Sequence, residues 1–425
     1  MSLKAGFAET DITPPLGTRK IGWIIEIIAD EVLDPLYARA AVLDDGRNKV
    51  AFVQLDTLSI RWTTTNDIRR RIEQRYGFPG DNIMVSATHN HAGPAVAGFG
   101  GYREDEYVET MVGKIVDMFG QALDRLEKAE LGIGSCFEFG LSSNRRIIMR
   151  NGTVKTHGNF DNPDALCFEG PIDPEFAVIA ARSKPTGDVL GVMVNFACHP
   201  THHGGEKTIS AGFPGSLADE LKRRGVPVTM YLNGACGNIH TADPRRPGYA
   251  PTKEEMGAAL ARDADKVLDE MEFGDEWALD AAETTVQLPH RHVTEDEIKG
   301  TVKGAQRFVD PKAYDGQMPW LVERIRTRGT QPAEVQALFV GDYAIVSIPA
   351  EYFVQNGLRI KEEAYPTRAL VVSCANGMVG YVPHKEAFKR GGYETTFGAG
   401  SRLGPEAGDI LADAAIDLIT QGAPK

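Results

Sequence analysis

The sequence lacks paired cysteines. Its 425 residues include five cysteines, an odd number without a Cys-x-x-Cys pair: Cys136, Cys167, Cys198, Cys236 and Cys374. This pattern does not describe a disulfide framework, and we expect five free thiols in a reducing compartment. A chain of this length buries about three quarters of its extended surface on folding, so it needs no disulfide or metal for stability. Any metal site should therefore be functional.

The chain also lacks a long hydrophobic segment and an excess of positive charge. Its longest apolar candidate, residues 21–28, is far shorter than a membrane span of roughly 20 residues and contains Glu26. We expect no membrane-spanning helix. The net charge of −13 argues against nucleic-acid partners and against electrostatic docking on an anionic membrane. The first residues do not resemble a signal peptide, which predicts a cytoplasmic protein, with a removed leader as the open alternative. The sequence leaves the oligomeric state open.

Apolar runs of strand length alternate along the chain with helical patterns of period 3.6. This alternation predicts an α/β fold of mixed β-sheets flanked by helices in a layered sandwich. Gly341 and Asp342 interrupt one apolar run and predict a hairpin, so part of a sheet should be antiparallel. We expect one large catalytic domain over residues 1–425, with 290–331 as a helical and loop excursion within it. The predicted strands are 38–43, 50–56, 82–87, 191–197, 228–232, 335–348 and 370–373, and the predicted helices are 66–76, 105–128, 216–224, 253–271 and 405–420.

Polar side chains collect just beyond five of the predicted strands. They are His89 and His91, His199, His240, Glu351 and Tyr381, in chain order. Ligand sites of layered α/β proteins lie at strand ends, where a rigid scaffold meets loops. Three of these five strand ends carry histidine in a chain with only 10 histidines. The concentration predicts a histidine and carboxylate metal site, for which zinc fits best.

Taken singly, each of these features also has a structural interpretation. A lone histidine at a strand end usually serves packing, and His-x-His places two rings on one face of an extended segment without requiring a metal. His290 and His292 have that spacing in a charged stretch and are not predicted ligands. Cys236 and His240 lie in one tight loop, which leaves a cysteine hydrolase open as an alternative.

Five motifs, in this order, resemble those of the neutral (alkaline, non-lysosomal) ceramidase family of zinc amidases. They are Ala-Thr-His89-Asn-His91-Ala-Gly-Pro, Asn195-Phe-Ala-Cys-His199-Pro, Asn233-Gly-Ala-Cys-Gly-Asn-Ile-His240, Ile348-Pro-Ala-Glu351 and Asn376-Gly-Met-Val-Gly-Tyr381. The resemblance runs from Ile12-Thr-Pro-Pro15 to the C-terminal helix and covers most of the family's catalytic domain. It leaves no sequence for the family's C-terminal immunoglobulin-like domain.

The resemblance implies a zinc-dependent hydrolase of an amide (N-acyl) bond, ceramidase-like, with a small-molecule acyl-amide substrate that could be lipid-like. The implied ligands of one zinc ion per chain are His89, His199, Glu351 and Tyr381. The implied catalytic residues are His91, Arg145 and Tyr393, to which we add His240. Asn144, Asn233 and Asn238 are the predicted substrate-binding residues. Phe99 and residues 21–28 could line an acyl-chain groove.

The sequence departs from the family at its third motif. Ceramidases have Gly-Asp-Val-Ser there, with the serine at the zinc, and this chain has Gly-Asn-Ile ending in His240. A second family aspartate corresponds to Gly212. The simplest implied mechanism therefore uses a zinc-bound water as nucleophile, with His91 and His240 as acid and base and Arg145 and Tyr393 as donors to the developing oxyanion. Another metal-dependent activity, on an ester, lactone or phosphoester, and a non-catalytic metal- or ligand-binding protein stay open.

Overall fold

The structure is a computed structural model that describes residues 2–23, 25–97, 103–305, 307 and 311–422. In chain order the strands are β1 (Lys4–Asp11), β2 (Arg19–Lys20), β3 (Ile27–Ile28), β4 (Glu31–Val32), β5 (Tyr37–Asp44), β6 (Lys49–Leu55), β7 (Ile83–Ala87), β8 (Glu127–Phe137), β9 (Ser143–Asn144), β10 (Arg146–Met149), β11 (Val154–Thr156), β12 (Ala165–Phe168), β13 (Glu175–Ser183), β14 (Val189–Phe196), β15 (Thr208–Ile209), β16 (Thr229–Asn233), β17 (Ile239–His240), β18 (Leu279–Pro289), β19 (Thr330–Val340), β20 (Tyr343–Ile348), β21 (Glu351–Tyr352), β22 (Arg368–Ser373) and β23 (Tyr381–Val382). The helices are α1 (Trp62–Tyr76), α2 (Asp105–Asp124), α3 (Gly212–Arg223), α4 (Lys253–Glu270), α5 (Glu295–Ile298), α6 (Pro311–Arg328), α7 (Val354–Glu363) and α8 (Ala407–Gly422).

Two mixed sheets form the centre of the molecule. The larger has the order β16-β14-β13-β8-β1-β5-β6-β7, and the smaller has the order β18-β19-β20-β22. In the large sheet β14 pairs with β16 and β6 with β7 in parallel, and in the small sheet β20 pairs with β22 in parallel. The remaining pairs of both sheets are antiparallel. The predicted hairpin is confirmed, because β19 and β20 meet at Gly341.

The sheets pack face to face, and each is covered by helices on its outer side. Side chains such as Phe52, Met193, Leu338 and Ile345 fill the space between the sheets. On the outer side of the large sheet, one core lies under α1 and α2 and another under α3 and α4. Helices α7 and α8 cover the small sheet. This four-layer arrangement confirms the predicted layered α/β sandwich and explains why β20, covered on both faces, is buried throughout and mostly apolar.

The boundaries of several predicted elements differ from the structure. Helix α1 begins at Trp62, α2 ends at Asp124 and α3 begins at Gly212. The segment 125–128 was predicted as helix, but 125–126 form a turn and 127–128 begin β8, which extends the large sheet. The sequence analysis did not predict strands β1, β8, β13 and β18 or helix α7. The strands were missed because sheet pairing stabilises strands whose own alternation is weak.

The excursion at 290–331 contains the predicted helix as α6. Its apolar residues Tyr314, Met318 and Leu321 form a small separate core with Phe397 from the C-terminal loop. Within the described ranges, every helix is too short or too polar to cross a membrane.

Candidate active site

The predicted strand ends meet at one place. His89 and His91 follow β7, and His199 follows β14. Glu351 and Tyr381 begin the short parallel strands β21 and β23 and lie opposite each other in the pairing. Since β7, β14, β20 and β22 come from both sheets, the site lies where the ends of the two sheets converge. The structure thus brings these five residues together.

The imidazole rings of His89, His91 and His199 are each held in place through the Nδ1 atom. Nδ1 of His89 lies 2.8 Å from the Leu58 carbonyl, and Nδ1 of His199 lies 3.0 Å from the Cys236 carbonyl. Nδ1 of His91 contacts the Gly22 carbonyl. A carbonyl only accepts hydrogen bonds, so Nδ1 carries the proton in every ring. The Nε2 lone pair of each histidine is left for another partner.

The Nε2 atoms of these rings converge. Nε2 of His89 lies 2.9 Å from that of His199 and 3.4 Å from that of His91. The Glu351 Oε2 atom lies 3.3 Å from Nε2 of His89 and 3.6 Å from Nε2 of His199. The ligand atoms of the three histidines all lie within 4.8 Å of one another, an arrangement that could hold a metal ion.

Burial and the Glu351 carboxylate shift the pKa values of these histidines in opposite directions. Burial lowers the pKa values of His91 and His199 well below their ordinary value, and the charge of His89 lowers them further. Burial also lowers the pKa of His89, but the Glu351 carboxylate outweighs it and raises that pKa overall. Unprotonated Nε2 lone pairs that face one another repel, and either a proton on His89 or a cation among the rings relieves that repulsion.

Arg145, predicted to line the site, lies beside Tyr381. Its Nη2 atom donates to the Tyr381 hydroxyl at 3.2 Å and to the Gly237 carbonyl at 2.8 Å. Burial and the charge of Glu351 raise the pKa of Tyr381 well above its ordinary value, which keeps the phenol neutral. Tyr393 packs edge-on against Tyr381, with 5.5 Å between the ring centroids. The structure thus brings both predicted oxyanion donors to the metal-ligand candidates.

Glu394 is the site residue that the sequence analysis missed. Its carboxylate is fully buried, accepts from Nε of Arg145 at 2.8 Å and accepts from Nη1 of Arg146 at 2.6 Å. Burial raises the pKa of Glu394, but Arg145 and Arg146 outweigh it and lower this pKa to about 2. The signal available in the sequence is a glutamate directly after Tyr393 in a glycine-rich loop, and the two arginines that it binds lie about 250 residues away, at a separation of 249 for Arg145.

His240 differs from the three converging histidines. Its Nδ1 atom accepts from the backbone N–H of Ala242 at 3.0 Å, so the proton lies on Nε2, which donates to Oγ1 of Thr201 at 2.9 Å. Burial and the neighbouring His157 lower the pKa of His240 well below its ordinary value. Both ring nitrogens are therefore engaged by protein groups.

The three asparagines predicted to bind substrate are buried and make hydrogen bonds within the protein. Asn144 donates to the Pro171 carbonyl at 3.0 Å, and Asn233 donates to the Thr88 carbonyl at 3.1 Å, next to His89. Asn238 donates to Gln355 at 2.9 Å and accepts from the N–H of Val354 at 2.9 Å, at the start of α7. These bonds fix the loops that carry the site.

Close backbone approaches explain two glycines of the site. A Cβ atom on Gly22 would lie 1.8 Å from the His91 carbonyl oxygen, and one on Gly237 would lie 2.5 Å from the Glu351 carbonyl oxygen. His89, Cys374 and Asn376 have positive φ angles of 67°, 55° and 59° without being glycine. Such backbone strain concentrates at functional sites.

The structure does not pair Cys236 with His240, the arrangement on which the cysteine-hydrolase alternative depends. The Cys236 thiol contacts the Cys374 thiol, and the nitrogens of His240 bind Thr201 and Ala242. No thiolate–imidazole pair therefore links residues 236 and 240. All five cysteines are free, as expected.

An exposed apolar segment borders His91. Trp23 is 47% exposed and its ring lies edge-on to His91, with 6.2 Å between centroids. Ile25 and Ile28 are also exposed, whereas Ile21 and Ile27 are buried. The predicted groove segment at 21–28 thus divides between core and surface. Phe99, the other groove candidate, lies outside the described residues.

Known proteins resemble about half of this chain in sequence. A family model described as "Neutral/alkaline non-lysosomal ceramidase, N-terminal" matches residues 4–216. "Neutral ceramidase 3" of Arabidopsis thaliana is 32% identical over 203 residues, which are 44% of this chain and 26% of that protein. "Neutral ceramidase" of Pseudomonas aeruginosa is 25% identical over 234 residues, which are 52% of this chain and 34% of that protein. The match to these relatives thus spans about a quarter to a third of their length.

Solved structures share the fold over nearly the whole chain. A crystal structure of neutral ceramidase from Pseudomonas aeruginosa superposes with a TM-score of 0.74 at 20% identity, covering 99% of this chain and 75% of that one. A structure described as "Ceramidase complexed with C2" superposes with a TM-score of 0.76 at 18% identity and the same coverage. These matches confirm the predicted fold class.

Proposed function

The chain belongs to the neutral/alkaline non-lysosomal ceramidase family, and from this premise we propose that it is a zinc-dependent hydrolase that cleaves an amide (N-acyl) bond. The observation that supports this most directly is the convergence of three imidazole Nε2 atoms on one another, with the Glu351 carboxylate next to two of them. The ordering of each ring through Nδ1 supports it further, because metal-binding histidines commonly donate their other N–H to a carbonyl or carboxylate.

The donor set suits zinc. Imidazole and carboxylate are its usual ligands in catalytic sites, and ligand atoms around a tetrahedral zinc lie about 3.3 Å apart. The corresponding distances among His89, His199 and Glu351 are 2.9, 3.3 and 3.6 Å. We assign these residues to one zinc ion per chain, with Tyr381 as a weaker ligand and His91 beside them. Bound there, zinc supplies Lewis acidity that polarises a carbonyl and acidifies a water to a pKa of about 7.

Arg145 and Tyr393 donate hydrogen bonds where negative charge develops on the scissile carbonyl oxygen. Glu394 and the Gly237 carbonyl fix the guanidinium of Arg145, so it needs no reorganisation when the charge appears. Burial raises the pKa of Tyr393, which keeps its hydroxyl a donor in the working range. Water molecules in place of these two side chains would have to reorient before they could donate to the oxyanion.

His91 is the general acid–base group of the proposal. It is neutral at working pH because burial lowers its pKa, and its Nε2 lone pair faces the cluster. His240 keeps a place in the site, but we give it a positioning role: its N–H holds the Thr201 hydroxyl, two residues after His199. The asparagines Asn144, Asn233 and Asn238 also act by positioning loops.

The substrate class that we propose is a small acyl amide with an apolar acyl chain. The exposed Trp23 ring beside His91, with Ile25 and Ile28 nearby in sequence, offers an apolar surface for such a chain next to the reacting groups. An acyl chain laid on these side chains would remain partly in water, so its length should affect KM more than kcat.

The test is metal analysis followed by hydrolysis assays. The purified protein should contain one zinc per chain and release a fluorogenic amine from N-acyl amides, faster for longer acyl chains. Chelator should abolish the activity and added zinc should restore it. If the protein hydrolyses esters, lactones or phosphoesters in a chelator-sensitive way but does not hydrolyse amides, those bonds are its substrates and the amidase proposal is wrong. Bound zinc without turnover of any of them would indicate a binding protein.

A further inference from the structure

Four basic side chains meet where the 290–331 excursion joins the C-terminal loop. His290 directly follows β18, Arg324 and Arg328 lie one turn apart at the end of α6, and Arg402 precedes α8. The backbone holds these segments together: the His290 N–H donates to the Gly329 carbonyl at 2.9 Å, and the N–H next to it, of residue 291, donates to the Arg402 carbonyl at 3.1 Å. We call these four side chains the basic cluster.

No carboxylate compensates the basic cluster among the residues that the structure describes. Arg324 and Arg328 form no ion pair there, and Arg402 uses its Nε to donate to Gln331 at 3.0 Å. Two acidic residues of the same excursion are paired with other arginines. Glu295 lies 3.6 Å from Arg326, and Glu297 lies 2.8 Å from Arg291. In a chain with a net charge of −13, a local group of three uncompensated arginines is unexpected.

Several polar atoms of the basic cluster are buried without a partner. They are Nε of Arg324 and both ring nitrogens of His290, which lies near the Arg402 carbonyl without a hydrogen bond of normal geometry. A buried donor left unsatisfied costs about 1–3 kcal/mol, and more when it is charged. Burial and the charges of Arg402, Arg324 and Arg328 lower the pKa of His290, outweighing the Arg402 carbonyl, which raises it. Burial and Arg324 likewise lower the pKa of Arg402 to about 10. An anion would relieve both effects.

The end of a helix accounts for only part of this arrangement. Arginine in the last turn interacts favourably with the negative end of the helix dipole, which explains Arg328. His290 and Arg402 come from other segments, and Arg324 lies a full turn earlier. Their position around the unpartnered Nε of Arg324 suits an acceptor with several oxygens.

We propose that the basic cluster is a binding site for a phosphate-type oxyanion. Guanidinium groups bind the oxygens of phosphate in pairs, and a histidine N–H supplies one further donor. The phosphate could come from free phosphate or from a lipid headgroup, and the two sources share this recognition chemistry. This site is separate from the candidate metal centre, which uses none of the four residues.

The site adjoins the loop that supports the candidate metal centre. The Tyr381 N–H donates to the Gly400 carbonyl at 2.7 Å, and the Ser401 hydroxyl donates to the Glu394 carbonyl at 2.8 Å, just before Arg402. Phe397 packs with α6 in the small core. Phosphate bound by Arg402 and Arg324 would join the loop to α6 from a second side.

Calorimetric titration of the zinc-loaded protein with inorganic phosphate, at ionic strength matched with chloride, tests the proposal. The test variant is Arg324→Gln combined with Arg328→Gln, with Arg324→Gln alone as the milder change. Arg326→Gln is the matched control, because this arginine lies on the same helix but is 66% exposed and paired with Glu295. Phosphate bound at a metal centre would contribute equally to all of these proteins.

We expect saturable phosphate binding to the parent and to Arg326→Gln within about twofold, and binding at least about 10-fold weaker in the double variant, because charge-assisted hydrogen bonds are lost. The single Arg324→Gln variant should show part of that loss even if the double variant folds poorly. Equal affinity in the parent and the double variant would overturn the proposal, as would an equal loss in Arg326→Gln or a response to phosphate no larger than that to chloride.

Sedimentation with vesicles distinguishes the two sources. Phosphatidylcholine vesicles with and without phosphatidic acid are the probes. Binding to phosphatidic acid by the parent but not by the double variant assigns the site to a headgroup. Phosphate binding without vesicle binding assigns it to the free ion.

Discussion

The two halves of the candidate active site differ in what holds their side chains. The histidines come from the part of the chain that the family model matches, and backbone carbonyls fix each ring through Nδ1. The carboxylate and the tyrosines come from beyond residue 216, and beside them Glu394 forms a buried network of side chains with Arg145 and Arg146. A carbonyl survives any substitution that keeps the backbone path, whereas a side-chain network fails when one member changes. The histidine half should therefore be robust except at the histidines themselves.

The largest effect should follow removal of a histidine. We expect His89→Ala or His199→Ala to lose stoichiometric zinc and to lower kcat/KM by more than about 10³, because a Lewis-acid metal contributes several kcal/mol to transition-state stabilisation. The fold should persist, since the core between the sheets does not include these rings. Zinc analysis and circular dichroism measure the two outcomes.

His292→Ala is the matched control for this experiment, because His292 has the same His-x-His context with His290 but is exposed and remote from the cluster in sequence. It should keep zinc and activity. Full zinc content in both His89→Ala and His199→Ala would remove the basis for the metal assignment.

The network half should respond through stability. Glu394→Gln leaves Arg145 and Arg146 without their shared carboxylate, and breaking a buried pair costs about 3–5 kcal/mol. The pKa of Glu394, about 2 against an ordinary 4.5, means that its contribution is present above pH 4.5 and is lost as the pH falls toward 2. The difference in free energy of unfolding between parent and variant should therefore shrink by about 3 kcal/mol over that range.

Urea unfolding monitored at several pH values measures this difference. Glu363→Gln is the control, because its pair with Arg359 is exposed on α7 and such pairs contribute about 0.3–0.5 kcal/mol. A pH-independent difference for Glu394→Gln would contradict the charge network as its cause.

The contrast between the halves also explains what the sequence could predict. The histidines, Glu351 and Tyr381 were predictable because each follows an apolar strand and sits in a family motif. Glu394 was not, because its role depends on two arginines that approach it only through the fold. Strands β8 and β13 were missed for the same reason, since pairing with their neighbours stabilises them more than their own sequence pattern does. His240 was placed at the correct loop, but its partners Thr201 and Ala242 follow from local backbone geometry that motif matching does not contain.

Tyr393→Phe tests the network half without disturbing charge. If the hydroxyl donates to the developing oxyanion, kcat should fall by about 10²–10³ while KM and zinc content stay unchanged. The phenylalanine ring keeps the edge-on contact with Tyr381. A change confined to KM would assign the hydroxyl to substrate binding, and loss of zinc would assign it to the metal site.

His240 combines both kinds of contact, because a backbone N–H binds one of its ring nitrogens and a side-chain hydroxyl binds the other. If it only positions the Thr201 hydroxyl, His240→Ala should lower kcat by about 10-fold, the value of one hydrogen bond. Thr201→Val should lower kcat equally, and the double variant should lose no more. A proton shuttle would instead lose about 10²–10⁴ in His240→Ala and leave Thr201→Val nearly unchanged.

The smallest effect should come from substitution of Cys236. Its backbone carbonyl binds His199, whereas its thiol contacts Cys374. The contact with Cys374 lowers the pKa of the Cys236 thiol, which is the best argument for its reactivity. The residue is nevertheless fully buried, and its carbonyl, not its thiol, receives the His199 Nδ1–H. Cys236→Ala keeps that carbonyl and removes one sulfur from the core, so we expect less than about a threefold change in kcat and about 1 kcal/mol of lost stability. Titration of the denatured, unreduced parent should find five thiols, one more than in the variant. Loss of hydrolysis in Cys236→Ala with zinc retained would instead make this thiol a participant in catalysis. Cys236 would then act through its side chain as well as through the carbonyl that holds His199.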